Sequence, residues 1–173
     1  MYFTIEKKLC GKSRPKYFPG VKNIVLKLFD IVQPDAAFFG EKDYQQLRII
    51  QTLVKNNNIP VKVIGCNIFR ANDGLAMSSR NERLKPEYRK AAPFIYKTLK
   101  TAKQKFGTKS ANKVTEWVKN QFEKHDLLKL EYFTIADIQT LKTVTRKSNK
   151  KQYRAFIAVY ADDIRLIDNI ALN

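Results

Sequence analysis

Residues 21–65 read VKNIVLKLFDIVQPDAAFFGEKDYQQLRIIQTLVKNNNIPVKVIG, and the spacing of apolar residues along them decides the fold. Val21, Ile24, Val25, Leu28 and Val32 recur at helical spacing, which predicts a helix over 21–32 with that face apolar. Gln33-Pro34-Asp35 stops it, because proline disfavours helical backbone in the residue before it. The short apolar run 36–39 suits a buried strand, Gly40 ends it, and 41–43 make a polar turn. A second helix over 44–55 carries Leu47, Ile50 and Val54 on one stripe. Asn56-Asn57-Asn58 closes it, and Pro60 opens the β-branched strand 61–65. Helix, strand, helix, strand with short links predicts parallel strands joined by crossover helices, an α/β sheet. Ligands in such sheets sit beyond the carboxyl ends of the strands. Residues 40–43 fall at one such end, and 71–81 follow another.

The pattern differs on either side of this stretch. Upstream, residues 1–20 read as irregular and basic, with Pro15 and Pro19 breaking any helix. Downstream, the alternation ends near Arg83. Residues 86–106 read as mostly helical, aligning Ala91, Ile95, Leu99, Ala102 and Phe106, with Pro93 starting or bending the regular part. Ser110 suits the N-cap of a further helix whose face is Val114, Trp117, Val118 and Phe122. Residues 128–135, 153–160 and 164–170 read as strands, the last two joined by a hairpin-like Ala161-Asp162-Asp163. This half is α+β with a small antiparallel sheet. The expected domains are therefore 1–83 and 84–173.

Composition narrows the functional classes. The 173 residues carry a formal charge of +17 and are 44% hydrophobic, and no apolar run approaches the roughly 20 residues of a membrane span. The first ten residues lack the apolar core of a signal peptide, so a soluble cytoplasmic chain is the expectation. Cys10, Cys66 and the single histidine, His125, do not form a zinc-ligand spacing. No metal-ligating residues are assigned, His125 is expected on the surface, and the two cysteines are expected as free thiols. The positive charge is spread along the chain. Its densest run, 142–154 with six basic residues and no acid, reads as a solvated turn. A basic chain of this kind attracts either nucleic acid or an anionic small molecule such as ATP.

Two clusters carry candidate chemistry. In Gly40-Glu41-Lys42-Asp43-Tyr44-Gln45-Gln46, a glycine at a strand end lets a ligand approach the backbone. Lys42 can meet a phosphate as a point charge, and Asp43 can accept from ribose hydroxyls or help hold a cation. Gln46 lies one helical turn past Lys42, so both can face one cleft. In Asp73-Gly74-Leu75-Ala76-Met77-Ser78-Ser79-Arg80-Asn81, two hydroxyls, an arginine and backbone N–H groups make an anion cradle. Each cluster alone also fits an ordinary polar loop.

Taken together, the clusters point further. Cys10-Gly-Lys-Ser-Arg-Pro-Lys-Tyr-Phe-Pro-Gly-Val21, Lys27-Leu-Phe-Asp-Ile-Val-Gln-Pro-Asp35, Phe38-Phe-Gly-Glu-Lys-Asp-Tyr-Gln-Gln-Leu47, Asp73-Gly-Leu-Ala-Met-Ser-Ser-Arg-Asn81 and Arg165-Leu-Ile-Asp-Asn169 resemble consecutive motifs of the pantothenate synthetase (pantoate–β-alanine ligase) family. The matches span nearly the whole chain and are most specific over residues 9–84.

The resemblance implies a partial Rossmann-like, nucleotidyltransferase-type α/β sheet followed by a small α+β lid domain. It implies a two-step, ATP-dependent ligase: pantoate attacks the α-phosphate of ATP with Mg²⁺ present, giving pantoyl adenylate and pyrophosphate, and β-alanine then displaces AMP to form pantothenate. On the matching positions, Gly40, Glu41, Lys42 and Asp43 line the ATP site, and Phe69 contacts ATP through its backbone. Met77, Ser78, Ser79 and Arg80 close over the phosphates, and Gln46 binds pantoate. Lys42, Ser78, Ser79 and Arg80 are the implied catalytic groups, and a homodimer is the implied assembly. Two departures shape the expectation. Lys16-Tyr17-Phe18 stands where the family has Gly-His-Phe, so packing is the expected role there. The family's His-x-Gly-His motif has no counterpart, so the chain is expected to be a C-terminal portion that binds ATP weakly and does not turn over alone. Two alternatives stand beside this reading. One is a basic nucleic-acid-binding module, which lacks a recognised motif here. The other is a folded lid, ordered over 84–173.

Overall fold

The computed structural model describes residues 3–173, and the part of the irregular-terminus expectation that concerns Met1 and Tyr2 lies outside them. The chain divides into two compact units, Met1–Asn67 and Ile68–Asn173.

In the first unit, short helices α1 (Phe3–Glu6) and α2 (Cys10–Ser13) precede α3 (Tyr17–Val32), β1 (Ala36–Gly40), α4 (Tyr44–Asn56) and β2 (Lys62–Cys66). The two prolines do not keep residues 3–20 irregular. Pro19 lies in the first turn of α3, where a backbone N–H has no intrahelical acceptor and its absence costs little. Gly11 allows the preceding chain to close on itself, since a Cβ there would lie 1.6 Å from the Glu6 carbonyl oxygen. α3 ends at Gln33, which adopts left-handed backbone and donates its N–H to the Phe29 carbonyl.

The strands pair in parallel, as expected, from Ala36 opposite Lys62 to Gly40 opposite Cys66. The core of this unit joins Val25 and Phe29 to Ile50, Leu53 and Val61. Each such side chain contributes about 1.5–3 kcal/mol by leaving water. The face of α3 differs from expectation: Phe18, Val25 and Phe29 are buried, while Ile24, Leu28 and Val32 are exposed. The helix is apolar on more than one side, so periodicity alone could not choose the buried stripe. β1 also differs from a wholly buried strand. Ala37 and Phe39 pack against the core, whereas Phe38 is 67% exposed, as the two-residue alternation of a strand requires.

The second unit carries α5 (Pro86–Ala91), α6 (Phe94–Thr108), α7 (Ala111–Glu123), β3 (Leu128–Asp137), β4 (Tyr153–Ala161) and β5 (Ile164–Ala171). Among the described residues the strands form an antiparallel sheet in the order β3-β4-β5. Pro93 starts α6, and the Ser110 hydroxyl caps α7 by accepting from the Lys113 N–H at 3.3 Å. Ile95, Leu99, Ala102 and Phe106 of α6 share a core with Val114, Val118 and Phe122 of α7 and with Ile135, Ile157 and Leu166 of the sheet.

The two compact units divide after Asn67. Leu75 belongs to the second unit's core, and Arg70 is ion-paired with Asp168 of β5. Loop composition gave no sign of either tie. His125 is also not a plain surface residue. It is half-buried, its Nδ1 accepts from the Leu127 and Leu128 N–H groups at 3.2 Å each, and its ring lies 4.7 Å from that of Phe94.

Candidate functional site

The first cluster occupies the carboxyl edge of the parallel pair. Gly40 closes β1 and Cys66 closes β2, opposite each other. Space is open above Gly40, where an added Cβ would meet nothing within 4 Å. Residues Glu41–Asp43 turn as a single 3₁₀ helix into α4, and the Glu41 side chain lies over Gly65, 3.5 Å from where a Cβ would stand. The Lys42 side chain is 15% exposed, with its ammonium 3.9 Å from an Asp43 carboxylate oxygen. Gly40, Glu41, Lys42, Asp43 and Gln46 thus adjoin one another within the first unit.

Two neighbours were not anticipated in their roles. Gln45 is buried and binds the N-terminal segment: its amide donates to the Ile5 carbonyl at 2.8 Å and the Lys8 carbonyl at 2.7 Å, and accepts from the Cys10 N–H at 3.2 Å. Tyr17 does more than pack against Phe18, because its hydroxyl donates to Gln46 Oε1 at 3.2 Å. The sequence offered one signal for the latter, the tyrosine standing at the position where the resembling family carries histidine.

The second cluster forms a tight hairpin in the second unit. Arg70 and Ala76 pair as a bridge, the Met77 N–H donates to the Phe69 carbonyl at 2.9 Å, and the Ala71 N–H donates to the Leu75 carbonyl at 2.9 Å. Gly74 takes a φ of +92° at the tip. Asp73 accepts from the Leu75 N–H at 3.1 Å and from Arg89 at 2.5 Å. The Arg89 hydrogen bond is the main cause holding the Asp73 carboxyl below its ordinary value.

Beyond the hairpin, the Ser78 hydroxyl caps the 3₁₀ turn Ser79–Arg83 by accepting from the Arg80 N–H at 3.1 Å. Asn81 fixes the approach by donating to the Ala76 carbonyl at 3.1 Å. Phe69, Met77, Ser79 and Arg80 are exposed. Phe69, Met77, Ser78, Ser79 and Arg80 are gathered on this hairpin and its exit. Cys10 and Cys66 are free thiols. No helix among the described residues is long and apolar enough to cross a membrane.

A parallel β-α-β pair with a lysine-bearing turn at its carboxyl edge, followed by a helix-backed antiparallel sheet, defines a mixed α/β protein of nucleotidyltransferase-like fold. A sequence model of the family described as pantoate-beta-alanine ligase matches residues 1–171, and the chain belongs to that family. It is 55% identical over 169 residues to a pantothenate synthetase of Christiangramia forsetii, covering 98% of this chain and 60% of that protein. It is 55% identical over 171 residues to one of Flavobacterium psychrophilum, covering 99% and 61%.

Among solved structures, a pantothenate synthetase from Thermus thermophilus superposes with a TM-score of 0.91 at 34% identity, covering 99% of this chain and 62% of that one. A pantoate-beta-alanine ligase from Francisella tularensis, complexed with beta-gamma ATP and beta-alanine, superposes with a TM-score of 0.70 at 33% identity, covering 97% and 55%. The chain thus spans about 60% of the length of these curated relatives.

Proposed function

We propose that the protein takes part in the ATP-dependent condensation of pantoate with β-alanine. A pantoate carboxylate oxygen attacks the α-phosphorus of ATP, the bond to the β-phosphate breaks, and pyrophosphate leaves. The β-alanine amine then attacks the acyl carbon of the adenylate, the bond to AMP breaks, and the amine gives up a proton as the amide forms. What supports this most is the family match over residues 1–171, joined to an open glycine and a lysine at the carboxyl edge of the parallel strands.

In this reading residues 1–83 belong to a nucleotide-binding domain and 84–173 form its lid. Gly40, Glu41, Lys42 and Asp43 line the ATP site, and Phe69 meets the nucleotide through its backbone. Met77, Ser78, Ser79 and Arg80 close on the phosphates, with Lys42 and Arg80 opposing the charge that builds at phosphorus. Positioning and charge stabilisation are the main protein contributions to such chemistry. Gln46 binds pantoate, and the Tyr17 hydroxyl on its Oε1 leaves the amide N–H₂ to donate to an anionic substrate.

Mg²⁺ comes with the nucleotide. Mg²⁺ is usually bound by substrate phosphates and water with one or two carboxylates, and Asp43 is the carboxylate that would assist here. A cytoplasmic homodimer completes the reading. The test is ¹⁸O transfer on the whole protein: pantoate labelled in its carboxylate should deliver one ¹⁸O to AMP, with AMP release requiring β-alanine. Unlabelled AMP would refute attack by pantoate.

A further inference from the structure

Arg70 joins the hairpin of the second cluster to the sheet behind it. Its guanidinium makes a two-pronged contact with Asp168 of β5, Nη1 to Oδ2 at 2.6 Å and Nη2 to Oδ1 at 2.9 Å. Nη1 also donates to the Gly74 carbonyl at the hairpin tip, at 3.1 Å. The flat face of the same group lies over the Tyr96 ring of α6, with Cζ 3.6 Å from the centroid. One side chain therefore touches the strand, the helix and both ends of the hairpin.

The Asp168 side chain is 3% exposed and that of Arg70 16%, so the pair is shielded from screening by solvent and salt. A two-stranded hairpin is marginal without such support. The residues that follow it, Met77 to Arg80, are largely exposed, and they are tied to the hairpin by the Met77 N–H on the Phe69 carbonyl and by Asn81 on the Ala76 carbonyl.

We propose that Arg70, held by Asp168 and Tyr96, is a positioning residue that sets where residues 77–80 meet the nucleotide phosphates. This rests on the proposed role of residues 77–80 in binding ATP. The planar fork is what the role requires. A lysine could keep the charge near Asp168, but it could not span Asp168 and Gly74 while lying flat on Tyr96.

Two measurements on Arg70→Lys test this. In the chain, hydrogen exchange at the Met77 and Asn81 amides should rise about tenfold, the change expected from about 1.4 kcal/mol of lost anchoring, while exchange in β4 holds. In the whole protein, the KM for ATP should rise about tenfold with the KM for β-alanine unchanged. A merely structural role would lower the active fraction, and hence apparent kcat, without moving either KM. Tyr96→Leu removes the stacking face but keeps the ion pair, and should move both readouts the same way by a smaller factor. Unchanged exchange at residues 77–81 in both variants would overturn the positioning role. Raised exchange there with an unchanged KM for ATP would overturn its link to the nucleotide. Failure of the unsubstituted protein to use ATP would instead overturn the function proposed above, leaving the exchange result to judge the anchoring.

Discussion

The ring of Tyr96 lies so close to Gly74 that a methyl group on the glycine would stand 2.6 Å from its Cδ1. Gly74 also holds a φ of +92°, which residues with a Cβ adopt at a cost. Gly74→Ala therefore combines strain with a clash and should destabilise the protein by about 2 kcal/mol. A urea titration checks this, and an unchanged midpoint would contradict the tight approach.

Gln45 holds the N-terminal segment through three hydrogen bonds, to Ile5, Lys8 and Cys10. Leucine fits the same space but satisfies none of these groups, so the segment should open to water rather than stay buried unpaired. Gln45→Leu should raise the reactivity of the Cys10 thiol about tenfold, in line with local opening made easier by about 1.4 kcal/mol. A thiol-reagent time course, with Cys66→Ser to remove the exposed second thiol, reads this out directly.

How much of this was legible in the sequence follows from the range of the interactions. The parallel pairing of β1 and β2 was readable because the alternation of helix and strand with short links allows little else. The Ser110 cap and the Pro93 start were readable because their causes lie within a few residues. The buried face of α3 was not, since Ile24, Leu28 and Val25 are equally apolar and the choice is made by Ile50 and Val61, distant in sequence. Within the motif at residues 40–46, the letters marked a site but did not tell its parts from its scaffold. Gln45 and Gln46 are adjacent and chemically identical, yet Gln45 is buried against the N-terminal segment while Gln46 meets Tyr17. Arg70 was missed for the same reason: its partner Asp168 is 98 residues away.

Asp137 should leave a signature in the acid stability of the protein. Burial of its carboxyl opposes ionisation, but the Thr140 N–H and hydroxyl, the Gln139 N–H and nearby Lys151 outweigh it and hold the group below its ordinary value of 3.8. The folded state therefore favours the carboxylate more than the unfolded chain does. The stabilisation is complete well above the unfolded value and is lost as pH falls through the folded one. Asp137→Asn should flatten the decline in stability below about pH 4. Melting curves from pH 7 to pH 2 check this, and parallel declines in the two proteins would refute it.

Lys42 offers the sharpest test of the proposed chemistry, because its charge can be removed while its stem is kept. The side chain is 15% exposed, and its ammonium stands 3.9 Å from the Asp43 carboxylate, at the limit of an ion pair. In Lys42→Met the aliphatic stem still packs along the turn. The melting temperature should therefore change little. The loss should instead fall on the reaction, where a positive charge facing the phosphates is worth most as pyrophosphate departs. By comparison with the removal of a single charge-stabilising group elsewhere, adenylate formation should slow about 100-fold. Pyrophosphate release by the whole protein, followed with saturating pantoate, measures that step apart from amide formation. A variant that keeps its rate would place the lysine outside the site, and one that loses rate and melting temperature together would make it a structural residue.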